Sequence, residues 1–160
     1  LYADDTIQHA GVVVGLGGVA AHVLCKLPRD AEGYMGRLRC VQEISAVTAA
    51  CMMVKTSVFK AVGGFDEELK VAFNDIDLCM KVRKYGVKIV FTPYAELYHY
   101  ESKSRGMEDT PEKQLRFSRE VNCFRRKWER ELLKGDPYYN PNLTLNNTDC
   151  SLRKQEKNGD

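Results

Sequence analysis

The hydrophobic pattern of this chain breaks into short runs of changing period. Thr6 to Val14 ends in the apolar triplet Val12-Val13-Val14 and predicts a strand, turned by Gly15-Leu16-Gly17-Gly18. Pro28 to Arg39 mixes proline, glycine and charge and predicts a surface loop. Ile44 to Val54 is small and apolar almost throughout, the pattern of a strand buried on both faces. Ser57 to Val62 carries apolar residues at helical spacing and stops at Gly63-Gly64. A second helix is expected from about Asn74. There Ile76, Cys79, Met80 and Val82 form one apolar face, Lys81, Arg83 and Lys84 enrich the last turn, and Gly86 closes it. Val87 to Phe91 predicts a strand broken by Pro93, and Ala95 to Tyr100 a further short one.

The composition changes at Lys103. Thr110-Pro111-Glu112 is a helix start, with threonine as cap and proline at the first helical position. The helix is expected to reach Lys134, before Gly135-Asp136-Pro137. Val121, Phe124, Trp128 and Leu132 form a stripe that must pack on something, in this chain or in a homodimer. From Tyr138 onward the chain is polar, expected to be irregular and frayed after Asp149. The resulting division is a mixed α/β part over 1–106, a helical extension over 107–136 and a polar tail over 137–160.

A length of 160 residues suits one domain with a core of its own. The balance of 44% hydrophobic and 29% charged residues is that of a soluble globular protein. A net charge of +2, from 24 basic and 22 acidic residues, argues against a nucleic-acid partner but leaves room for phosphorylated small molecules. The six cysteines form no CxxC or CxxH pair, so a structural zinc site has no support. Cys51 and Cys79 lie in apolar runs and read as small buried hydrophobes in a reducing compartment. With no apolar run near 18 residues, a cytoplasmic chain without a membrane span is expected.

Chemistry concentrates in Gly63-Gly-Phe-Asp-Glu-Glu-Leu69 followed by Phe73-Asn-Asp-Ile-Asp-Leu-Cys79. Asn74 or Asp75 suits a helix cap, and acidic residues complement the dipole of the first turn. A carboxylate at a helix N-terminus facing a cleft also suits a general base. Spacing alone leaves both readings open.

The order of elements adds to this. A small-residue strand (Val47-Thr-Ala-Ala-Cys-Met-Met53) leads to a short helix with Phe59, then Gly-Gly-Phe-Asp-Glu and Asn-Asp-Ile-Asp-Leu-Cys. A strand ending in Thr92-Pro93 and then His99 follow. The series resembles the second half of family 2 glycosyltransferases, whose fold is GT-A; Gln8-His9-Ala10-Gly11 is similar to a stretch in some bacterial members. The resemblance implies a partial GT-A fold, a mixed sheet with flanking helices plus a C-terminal helix. It implies inverting transfer of a hexosyl or rhamnosyl group from a nucleoside-diphosphate sugar to a carbohydrate hydroxyl in polysaccharide assembly. Asp75 then deprotonates the acceptor, with Asn74, standing where the family usually has glutamate, toward that acceptor; Asp66 either fixes the turn or reaches an acceptor hydroxyl. Thr48 and Ala49 suit either close packing of a core strand or close approach of the donor sugar to the backbone, and Ser104 and Arg105 either contact the donor diphosphate or are solvated. His99 is either a structural histidine or, by resemblance, a ligand of a divalent Mn²⁺ or Mg²⁺ ion. A lipid-linked acceptor would bring the protein to the inner face of the cytoplasmic membrane.

The earlier half of such enzymes, which holds the nucleotide and ends in a DXD metal motif, has no match here. Asp4-Asp5 lacks the spacing and reads as a turn. The chain alone is therefore expected to be inactive. The alternative is a non-catalytic carbohydrate- or partner-binding module with the same half-fold. A metal-dependent hydrolase on Asp75, Asp77 and His99 is a third reading, with few ligands.

Overall fold

A computed structural model describes residues 1–100 and 110–154. The architecture is mixed α/β with very short strands. Strands β1 (Val12–Val14) and β2 (Ala20–His22) pair antiparallel, as do β3 (Gln42–Glu43) and β4 (Val90–Phe91). The helices are α1 (Thr56–Ala61), α2 (Asn74–Lys84), α3 (Pro111–Lys127) and α4 (Glu129–Lys134). Residues 44–46 bridge the two strand pairs: Ile44 N–H donates to the Ile89 carbonyl at 3.1 Å, and Val12 N–H to the Ala46 carbonyl at 2.9 Å.

Strand β1 is buried on both faces, and its period of two divides the interior. Val13 joins Ile7, Leu16, Val23, Leu24, Tyr139 and Leu143 on one side. Val12 and Val14 join Ala46, Leu69, Ile76, Met80, Phe124 and Trp128 on the other. Val121 and Leu132 pack against this second cluster, so the apolar stripe of the last helices is used within the chain.

Several expectations meet a different structure. The strand expected over Thr6 to Val14 is regular only over Val12–Val14, with a lone bridge from Thr6 to Pro28 before it. The strand expected over Val87 to Phe91 shrinks to Val90–Phe91, and 95–100 has no regular structure. The loop over Pro28 to Arg39 contains a 3-10 helix, Tyr34–Arg39, that buries Leu38. The long helix is interrupted at Trp128 (φ −115°, ψ 23°), whose indole is buried, although Trp128 N–H still donates to the Phe124 carbonyl and Leu132 N–H to that of Trp128. The tail stays hydrogen-bonded as far as Arg153, and the remainder of the stretch expected to fray, 155–160, lies outside the described residues. Leu24 N–H donates to the Thr148 carbonyl at 2.7 Å, Leu143 bridges Leu152, and Tyr139, Leu143 and Cys150 are buried.

The largest departure concerns Ile44 to Val54. Ile44, Ser45 and Ala46 are buried as expected of a core strand. Beyond them the backbone turns into a 3-10 helix, Ala49–Cys51, whose residues are exposed. The reason is where four consecutive amides go. Val47 N–H points to Cys79 Sγ (3.5 Å), Thr48 N–H to His9 Nε2 (3.4 Å), Ala49 N–H to Asp75 Oδ2 (3.0 Å) and Ala50 N–H to Thr48 Oγ1 (3.4 Å). Side chains thus replace a strand ladder as the partners of this segment.

Candidate functional site

The segment 47–50 is the centre of the site, because its amides gather side chains from distant parts of the chain. Asp75 stands in the first turn of α2, half-buried, with the positive end of the helix dipole behind it. Its Oδ1 accepts from Ile76 N–H at 2.9 Å and its Oδ2 from Ala49 N–H at 3.0 Å. The residue before the helix is Phe73, in the left-handed conformation (φ 63°) and without a side-chain cap. Neither Asn74 nor Asp75 occupies the cap position. Asp75 instead satisfies one first-turn amide from inside the helix, and Asn74 is the first helical residue.

His9, half-buried below Thr48, lies with its Nδ1 3.3 Å from His22 Nδ1. Enclosure, and then the neighbouring His22, push the His9 imidazole down to about 3, so it is neutral. Next in sequence, Gln8 makes a two-point contact with His99. The Gln8 amide donates to the His99 carbonyl (3.3 Å), and its Oε1 lies 2.8 Å from His99 Nδ1. Donation by His99 Nδ1–H to that oxygen leaves Nε2 with the lone pair. The main chain of His99 is tied to Leu1, its N–H donating to the Leu1 carbonyl at 2.9 Å. A strip of contacts therefore runs from His99 through Gln8, His9, Thr48 and Ala49 to Asp75.

An exposed histidine oriented through Nδ1 suits metal ligation. Among the described residues no group of three or more His, Cys, Asp or Glu is placed to hold an ion. Beside the strip lies a wide cavity of about 810 Å³, lined by Gln8, His9, Thr48, Cys79 and His99 together with apolar side chains of 52–54 and 87–91. Met53 in that wall is 99% exposed and Val90 50%.

Asp66 is engaged differently. Its carboxylate accepts from Glu68 N–H at 3.0 Å and pairs with Lys127, which holds it below the usual carboxylate range. Ser104 and Arg105 lie outside the described residues.

The most buried charge in the neighbourhood is one that the sequence suggested for dipole complementation or, in the third reading, for a metal-dependent hydrolase. Asp77 is 0% exposed. Its Oδ1 meets Lys127 Nζ (2.8 Å) and Trp128 Nε1 (2.9 Å), and its Oδ2 lies 3.0 Å from Lys81 Nζ. Burial opposes the charge on Lys127, yet Asp66 and Asp77 hold its ammonium above the ordinary range. Lys81 also donates to the Gly64 carbonyl at 2.5 Å. The Gly-Gly turn, the acidic run and the last helices are thus joined through two lysines. The signal was present, since Asp77 falls between Ile76 and Leu78 on a buried helix and four residues before Lys81.

Comparison with known proteins relates the chain to glycosyltransferases and to polysaccharide biosynthesis. It is 38% identical over 161 residues to O-antigen biosynthesis protein RfbC of Myxococcus xanthus, covering 100% of this chain and 12% of that protein. It is 36% identical over 62 residues to the N-acetylglucosaminyl-diphospho-decaprenol L-rhamnosyltransferase of Mycobacterium tuberculosis, covering 39% of this chain and 20% of that enzyme. A third relative, the uncharacterized protein y4gI of Sinorhizobium fredii, is 57% identical over 152 residues, 94% of this chain and 17% of its own length. The chain therefore spans a fifth or less of the proteins it matches. No protein-family profile matches it, and no solved structure does. Among the described residues no helix is long and apolar enough to cross a membrane.

Proposed function

We propose that this chain is the acceptor-side half of an inverting, family 2-type glycosyltransferase of GT-A architecture, with Asp75 as the general base. The observation that carries the reading is the Asp75 carboxylate, fixed at the start of α2 by the Ile76 and Ala49 amides and standing beside the small residues 48–50. A nucleoside-diphosphate sugar has an electrophilic anomeric carbon, and the acceptor hydroxyl must lose its proton as it attacks. One carboxylate on the attacking face, held by two N–H groups so that it does not wander, performs that step. Thr48 and Ala49 let the donor sugar approach the backbone closely, and Asn74 lies beside the base for the acceptor. His99 would contribute one ligand to a divalent ion, which offsets the charge gained by the leaving diphosphate when bound.

Two observations support a nucleotide-binding half elsewhere in the protein. The relatives are five or more times longer than the matched region, and the apolar wall with Met53 and Val90 is exposed in this chain alone. The relatives' names point to a polysaccharide product, and a lipid-linked acceptor at the cytoplasmic face of the membrane fits them. The test is manganese-dependent transfer or donor hydrolysis by the full-length protein over a panel of nucleotide sugars, comparing native protein with Asp75→Asn. Turnover of one donor with acceptor, reduced about 10²- to 10⁴-fold in the variant, is expected. No turnover of any donor, or an unaffected variant, would discard the base and favour a carbohydrate- or partner-binding module.

A further inference from the structure

Helix α3 grips the chain on both sides of Asp75. Glu120, in the middle of α3, is 3% exposed, and its two oxygens accept from Val71 N–H and Ala72 N–H, each at 3.0 Å. Arg116, one turn earlier, lies 3.6 Å from the same carboxylate. The next residue, Phe73, has φ 63°, a conformation that a bulky side chain keeps only when its surroundings enforce it. Its ring lies 5.3 Å from that of Phe124 and 5.8 Å from that of Phe117, both on α3. One turn further on, Lys127 and Trp128 take hold of Asp77. Successive turns of α3 thus contact residues 71, 72, 73 and 77, and the site's 47–50 segment holds the Asp75 carboxylate from another side.

A buried carboxylate is a costly way to fasten a helix, since apolar packing at the same place would be cheaper. What a carboxylate supplies and a leucine does not is two acceptors aimed at two adjacent amides. Those amides belong to the residues directly before the left-handed Phe73, which sets the entry angle of α2. The geometry points to Glu120 as the positioning residue of the base. By fixing the Val71 and Ala72 amides it holds Phe73 left-handed, and so directs the Asp75 carboxylate toward the 47–50 segment. The assignment rests on the reading of Asp75 given above.

The test is steady-state transfer kinetics of the full-length protein with its accepted donor, comparing native protein, Glu120→Gln and Glu120→Ala, each alone and combined with Asp75→Asn. Glutamine keeps one acceptor and the side-chain volume, so it serves if the alanine variant does not fold. The expected result is a kcat lowered about 10- to 100-fold, the scale of a catalytic group displaced by about 1 Å. Donor KM stays within about twofold, and the loss vanishes in the Asp75→Asn background, because a misplaced base matters only while the base is there. An unchanged kcat in a folded variant, a raised KM with kcat intact, or a loss that persists fully without Asp75 would overturn the assignment. A native protein without transfer activity would instead bring down the glycosyltransferase reading, and this assignment with it. The two failures are told apart by the native sample.

Discussion

Replacing Asp77 by alanine removes the carboxylate on which two lysine ammonium groups and an indole N–H converge, and its effect can be worked out from the geometry. The carboxylate is 0% exposed and meets Lys127 Nζ at 2.8 Å, Trp128 Nε1 at 2.9 Å and Lys81 Nζ at 3.0 Å. Removing one partner of a buried pair costs about 3–5 kcal/mol, because the remaining charge stays desolvated. Here the lysine side chains are 19% and 32% exposed, so each retains an outlet to water. That moves the cost to the lower end, about 3 kcal/mol, to which the orphaned indole N–H contributes. At about 1.4 kcal/mol per factor of ten, local opening of α2 becomes about 10²-fold more frequent. Hydrogen exchange of the peptide over 74–84, followed by mass spectrometry in the intact protein, reads that number directly. Exchange within about threefold of native would show that Asp77 is not a desolvated hub, and would refute the argument. Asp77→Asn, which keeps an oxygen for the indole but removes the charge, is expected to fall between the two.

The other outcomes concern titration and reactivity. His9 is pushed down from 6.5 to about 3, so the unfolded chain binds a proton that the folded chain refuses. Stability is therefore full above about pH 6.5 and falls as pH drops toward 3, by about 2 kcal/mol at pH 5. Denaturant midpoints at neutral and acid pH should converge in His9→Gln, and an equal acid loss in that variant would exclude His9 as the source. Burial raises the Cys79 thiol to about 11, whereas Cys40 and Cys51 are exposed. A maleimide near neutral pH should label Cys40 and Cys51 in the native state and Cys79 only after denaturation. Native labelling of Cys79 would mean that the contact between Val47 and α2 opens readily.

Legibility followed the range of the interactions involved. Helix α1 with its Gly63-Gly64 stop, α2 from Asn74 and the Thr110 cap of α3 all rest on contacts within four residues. Each was readable as periodicity and capping. The Thr110 hydroxyl accepts from Lys113 N–H at 3.4 Å, as a threonine before proline at a helix start implies. The run Ile44 to Val54 misled because composition records burial and not hydrogen-bond partners. Its last residues look like a strand, but among the described residues no neighbouring strand completes a ladder with them. Glu120 was invisible for the same reason. Nothing near it in sequence distinguishes a helix carboxylate that meets solvent from one that meets the amides of residues 71 and 72.

The sequence by itself determined where α1 and α2 begin and end, where α3 begins, that β1 is apolar on both faces, and that acidic chemistry gathers at residues 74–77. Local sterics, capping and the alternation of side chains suffice for those. Only the tertiary structure decided that His99, Gln8, His9, Thr48, Ala49 and Asp75 form one strip, and that α3 holds the start of α2. It also decided that the polar tail closes over the first core cluster. These depend on pairs separated by tens of residues. In such pairs a buried donor takes whichever acceptor the packing brings within reach, and packing follows from the whole chain.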